Sequence, residues 1–143
     1  MKIITELLGT LETQKSLLAQ LLKIEKKKTD ILQKGPITVL DAVIMDEQAL
    51  VMECSAIENQ RMILCEKLEV KTINELIKKK PEYIDSIEPL YKSTIEIISE
   101  IKKVNSLNMK ILDTRLKLIK FMSTELGEQE NVQYKKEKNK IEV

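Results

Sequence analysis

The stretch SIEPLYKSTIEIISEIKKVNSLNMKILDTRLKLIKFMSTEL, residues 86–126, decides how this chain folds. With Ile84 just ahead of it, apolar residues recur at spacings of three and four: Ile87, Tyr91, Ile98, Ile101, Leu112, Ile119, Met122 and Leu126. That period lines one face of an α-helix. Two asparagines, Asn105 and Asn108, fall on the same seam, where a coiled helix favours aliphatic side chains. They are expected to hydrogen-bond across the seam and fix its alignment, or else to mark where the helix leaves its intramolecular neighbours.

Downstream of the asparagines the apolar face widens. A row of flanking positions reads Ser86, Ser93, Glu100, and continued by sevens it becomes Leu107, Thr114, Phe121. Beside the main seam Leu90, Ile97, Val104, Ile111 and Leu118 run without a break. The only phenylalanine of the chain therefore sits on the additional stripe. Three things could cover it: a second copy of the chain, the short helix expected at residues 73–80, or the amphipathic helix of another protein. The last is the expected use, with Leu107, Ile111, Leu118, Phe121 and Met122 as the partner-binding residues.

Upstream, residues 2–33 carry a stripe of Ile4, Leu8, Leu11, Leu18, Leu22 and Leu32, widened by Leu7 and Leu21 and interrupted by Lys15, Glu25 and Thr29. Gly9 is expected to fray the first turns. Lys34-Gly35-Pro36 stops this helix, with glycine in a left-handed cap and proline unable to continue the ladder. Thr38-Val39-Leu40-Asp41 resembles a capping box that opens a second helix. Its stripe is Leu40, Val43, Glu47, Leu50, Cys54, Ile57, Arg61, Leu64 and Leu68. The connection is a few residues long, so these two helices are expected to lie antiparallel. Thr72-Ile73-Asn74-Glu75 opens a short helix to about Lys80, and Pro81 and Pro89 bracket a corner. Placing Pro89 in a first turn puts the start of the last helix near Ser86. The expected fold is all-α: long antiparallel helices in an elongated three-helix bundle or coiled coil, with a short connecting helix. Residues 1–127 form the helical domain, ended by Gly127, and residues 128–143 a flexible polar tail.

Glu25, Glu47 and Arg61 occupy seam positions, where a lone charge costs several kcal/mol. With Asn105 and Asn108 they form the expected polar seam. Either a cross-helix ion pair sets the register, or the seam is thin enough for these side chains to reach water. A long hairpin offers no concave, dry pocket in which paired carboxylates could do acid–base work.

Composition narrows the chemistry. The 143 residues suit one domain, 43% are hydrophobic and only 3% aromatic, so the core is aliphatic. Charged residues make up 33% and nearly cancel, leaving +1, so no strong field draws in nucleic acid. The triplets Lys26-Lys27-Lys28 and Lys78-Lys79-Lys80 read as solvated lysines. Histidine is absent, which removes the commonest general base and metal ligand. Cys54 and Cys65 on one helix are about 16 Å apart, too far for a disulfide, and read as buried thiols. No signal architecture and no long apolar run is visible, so a cytoplasmic chain without membrane insertion is expected. Glycine-rich phosphate loops, metal clusters and nucleophile–base pairs are all missing, and neither catalysis nor a cofactor is expected.

Taken in order, several segments carry a family resemblance. They are the first helix with Leu21-Leu22-Lys23-Ile24-Glu25, the Gly35-Pro36 turn, and Glu47-Gln48-Ala49-Leu50 leading to Ile57-Glu58-Asn59-Gln60-Arg61. The last is Asn105-Ser106-Leu107-Asn108-Met109-Lys110-Ile111-Leu112. In this order and spacing, over nearly the whole chain, the sequence resembles FlgN, the flagellar export chaperones. The resemblance implies a small helical protein that binds the C-terminal helical segments of hook-associated (hook–filament junction) proteins. It implies that these stay unpolymerised until they are presented to an export-gate component. It also implies that the end of the last helix and the tail serve the client, with Tyr134 as the gate contact. The competing expectation is a structural coiled-coil protein that forms a homo-oligomer through the widened face.

Overall fold

The computed structural model describes residues 2–126. Among them the chain is helical throughout, with no strand: α1 (Lys2–Lys34), α2 (Leu40–Lys67), α3 (Ile73–Lys79) and α4 (Ile84–Leu126). Short 3₁₀ turns at Ile37–Val39 and Pro81–Tyr83 join them. The fold is all-α, and no described helix is long and apolar enough to cross a membrane. The chain divides into two compact units, Met1–Asn108 and Met109–Val143.

In the first unit, α1 and α2 run antiparallel. Gln14 of α1 bonds Glu58 of α2 and Lys28 of α1 bonds Glu47, so partners descend along α2 as they climb α1. The first part of α4 runs the same way as α1, because Ile87 packs with Leu7 and Leu11 while Asn108 reaches Glu25. The core closes at one end. Leu7 and Leu11, Leu64 and Cys65, Ile73 and Leu76 of α3, and Ile87 of α4 form one buried cluster. Burying Ile73 and Leu76 there stabilises by about 1.5–3 kcal/mol each, which holds so short a helix in place.

Local chemistry explains the boundaries, sometimes differently from the sequence reading. Thr72 caps α3 as expected, its Oγ1 accepting from the Glu75 amide at 3.1 Å while Glu75 Oε2 accepts from the Lys71 amide at 2.9 Å. Thr38 does not cap α2: it lies inside the 3₁₀ turn, and Val39 precedes the helix with no side-chain cap. A 3₁₀ turn running straight into a helix already has helical dihedrals, which leaves no extended residue to act as a cap. Gly35 is not left-handed, since no glycine among the described residues has positive φ. Its size matters instead, because a Cβ would stand 3.0 Å from the Ile31 Cα. Gly9 does not interrupt α1, which begins seven residues before it.

The left-handed residue is Glu69 (φ 60°), just past α2, where the Val70 amide returns to the Cys65 carbonyl at 3.0 Å. That conformation normally favours glycine. Finally, α4 starts at Ile84 rather than near Ser86, and Pro89 lies inside it. The preceding turn at Pro81–Tyr83 has already set the helical path, so Pro89 withholds one amide from the Asp85 carbonyl without ending the helix.

Candidate functional site

Two features stand apart from the ordinary packing: a polar knot in the first unit and an apolar arc on the second.

The knot gathers α1, α2 and α4. Asn108 is 3% exposed, and its Nδ2 donates to the Glu25 carbonyl at 3.1 Å and to Glu25 Oε2 at 3.4 Å. Thr29 Oγ1 donates to Asn108 Oδ1 at 2.5 Å and stands 3.1 Å from the Glu25 carbonyl. Lys28 Nζ bonds Glu47 Oε2 at 2.9 Å and lies 3.8 Å from Glu25 Oε2. No buried side-chain nitrogen or oxygen among the described residues lacks a partner. Burial lifts the Glu25 carboxyl to about 7, helped by its hydrogen bond to Glu47 and opposed by Lys28. For Glu47 burial works upward too. The hydrogen bonds from Glu25 and Lys28 and the lysine's charge outweigh it, and hold this carboxyl below its ordinary value. Below about pH 7 the proton shared by this pair therefore stays on Glu25, and Glu47 carries the charge that Lys28 meets.

A second polar link lies further along the hairpin. Gln14 Nε2 donates to Glu58 Oε2 at 2.6 Å, and Arg61 holds the same carboxylate through Nε at 2.9 Å and through Nη2. Arg61's hydrogen bonds keep Glu58 low, burial opposing, with Gln14 adding to the effect. Contrary to the expectation of a hairpin without a pocket, this link borders a cleft of about 230 Å³ walled by Leu11, Tyr91 and Ile98. Its two charged groups are paired to one another. Cys65 is buried and Cys54 half-buried, both free, and burial pushes both thiols up. Among the described residues no three His, Cys, Asp or Glu side chains converge as a metal site would require.

The sequence-selected polar residues thus divide. Glu25 and Asn108 meet; Glu47 joins them through Lys28; Arg61 serves its own helix neighbour; and Asn105 is exposed, not part of the buried seam. At 100° per residue Asn105 and Asn108 point 60° apart, enough for one to enter the core and the other water. Gln14 and Glu58 were not expected at a site; Thr29 stood out only as an interruption of the α1 stripe, and Lys28, read from sequence as a solvated lysine, is instead largely covered and paired with Glu47. The Glu25-x-x-Lys28 spacing was the available signal for Lys28.

The arc occupies residues 109–126. None of them is buried: Ile111 and Arg115 are half-buried and the rest exposed. Phe121 is 62% exposed, Leu118 55% and Met122 46%. Leu107, at the end of the first unit, is 44% exposed. At 100° per residue the apolar side chains run from Phe121 through Leu118, Ile111, Met122 and Ile119 to Leu116 and Met109, roughly two thirds of the circumference, interrupted by Thr114, Arg115, Ser123 and Glu125. Lys110, Asp113, Lys117, Lys120 and Thr124 share the remainder, with Lys117 Nζ 2.9 Å from Asp113. A helix apolar over so much of its girth normally lies inside a protein. Tyr134 lies outside the described residues.

No curated protein and no solved structure matches the chain. A protein-family model does: the FlgN protein family, over residues 1–140. With almost the entire length matched, and with helices alone among the described residues, this chain belongs to the FlgN family of flagellar export chaperones.

Proposed function

We propose that the chain is the cytoplasmic chaperone of hook-associated (hook–filament junction) proteins, and that residues 109–126 with Leu107 receive their C-terminal helices. The observation that carries this reading is the exposed apolar arc. Such surface is costly in water at roughly 25 cal/mol per Å², so a partner that covers it gains affinity from burial alone. An arc wider than half the circumference suits client helices laid on more than one side, each hiding the surface through which the client would polymerise. About 800 Å² per partner suffices for a specific complex. Leu107, Phe121 and Met122 act as anchors, and the lysines at the rim set the association rate more than the affinity. The client is then handed to an export-gate component, with Tyr134 as the contact.

Phe121→Asp tests this. Titrating a hook-associated protein's C-terminal segment by calorimetry should give at least a ~30-fold loss of affinity, about 2 kcal/mol, with far-ultraviolet helicity unchanged. Unchanged affinity would remove the assignment. The same exposed arc could serve a homo-oligomer in a structural coiled-coil protein. Sedimentation at micromolar concentration separates the two, since the chaperone reading requires the free chain to be monomeric.

A further inference from the structure

The inward face of α2 packs on α1, yet its opposite face is also apolar. Met45, Ala49, Met52, Ala56, Asn59 and Ile63 follow one another at intervals of four and three, and every one of them is exposed. Met45 is 70% exposed, Met52 74% and Ile63 53%. At 100° per residue these six fall within an 80° arc diametrically across from Val43, Leu50 and Arg61, which face inward. This is the spacing of a coiled-coil seam, carried on the outside of the hairpin and holding no charge. The two alanines leave hollows between long methionines, the relief that lets another helix seat its side chains, and methionine adapts to what enters.

Charge indicates what fits there. The exposed charges of α2 are Asp41, Asp46, Glu53 and Glu66 against Lys67 alone. Asp46 and Glu53 flank the seam along one edge, Asp41 stands at its N-terminal end, and Glu66 and Lys67 stand together at its C-terminal end. A second copy of α2 is disfavoured in both directions. Laid antiparallel with Met52 against Ala56, it sets Glu53 against its own copy at the dyad. Laid parallel, it sets Asp41 of one copy beside Asp46 of the other, twice. Residues 109–126 have the opposite sign, four basic side chains against two acidic, so the two apolar surfaces select different partners.

We propose that the outer face of α2, centred on Met52 and Ala56, is a second docking surface for an amphipathic helix of another protein whose edges carry lysine or arginine. It shares no residue with the client surface proposed above. Opposite charges at the edges steer the encounter and fix register, and apolar contact with the Met–Ala seam supplies the holding energy.

Two synthetic helical peptides with leucine at the a and d positions serve as probes, one with lysine at the e and g edges and one with glutamate there. Their binding to the full chain carrying Phe121→Asp, which removes the client surface as a competing site, is followed by fluorescence anisotropy. The lysine-edged peptide should bind at least tenfold more tightly than its glutamate-edged counterpart and weaken as salt rises. Met52→Glu should reduce its affinity at least tenfold, with the urea midpoint unchanged because Met52 is so exposed. Three outcomes would overturn the proposal: no binding, equal binding of both peptides, or indifference to Met52→Glu. A dimer dissolved by Met52→Glu would overturn it too, by giving the face to a second copy.

Discussion

Residues 84–108 and residues 109–126 belong to one helix, α4, and repeat the same three-and-four pattern of apolar side chains. In the first stretch Ile87, Thr94 and Asn108 are buried and most of the apolar side chains are at least half-covered. In the second nothing is buried. Periodicity, then, identifies which face of a helix is apolar, but not whether anything within the chain covers it. That second fact depends on neighbours. The outer face of α2 repeats the lesson: two seams of the same period lie back to back, and only one is packed.

The largest expected effect separates the two kinds of apolar residue. Leu7 is fully buried, so Leu7→Ala should lower the unfolding free energy in urea by about 3 kcal/mol or more. Leu118→Ala removes the same atoms from a half-exposed site and should change it by less than about 0.5 kcal/mol. Equal losses would erase the distinction between the regions.

Next comes the pH dependence of the knot. Glu25 is held at about 7 when folded and returns to an ordinary carboxylate value near 4.5 when unfolded. A raised carboxyl stabilises fully below the unfolded value, and that stability is lost as pH rises through the folded one. Glu47 is lowered, so its contribution holds above 4.5 and fades only as pH falls through its lower folded value. The two windows do not overlap. Stability should decline between pH 5 and pH 8 by on the order of 2 kcal/mol, and Glu25→Gln, neutral at every pH, should flatten the profile. A mutant with the full wild-type slope would place the proton elsewhere.

A smaller contrast lies within the pair of asparagines. Asn108→Ala leaves the Glu25 carboxyl and Thr29 hydroxyl without their partner and should cost about 1–2 kcal/mol in a urea titration. Asn105→Ala, at an exposed position, should fall within about 0.5 kcal/mol of wild type.

How much of this was legible in the sequence follows from which interactions are local. The Gly35-Pro36 stop, the Thr72 cap and the long periodic runs are encoded within a few residues, and α1 and α3 fall close to where the sequence puts them, while the expected stop of α4 at Gly127 lies outside the described residues. The start of α4 was misplaced because Pro89 was read as a first-turn residue, whereas the turn at Pro81–Tyr83 had already set the helical path. Thr38 failed as a cap for a similar reason. The knot was half legible: Glu25, Glu47 and Asn108 stood out as polar interruptions of apolar stripes. Thr29 also stood out as an interruption but without a role, and Lys28 was read as solvated, because their partners are on other helices and a stripe does not say what it faces. Asn105 and Asn108 looked equivalent on a seam that is broad in sequence and narrow in three dimensions.

Hydrogen exchange along α4, with and without a hook-associated protein's C-terminal segment, tests most directly whether residues 109–126 await a foreign helix. In the free chain their amides should exchange faster than those near Leu7 and Ile87, and the added segment should slow them at least tenfold while the first unit's core is unaffected. Protection of residues 109–126 that is already complete without the segment, or that arises only on α1 when the segment binds, would contradict it.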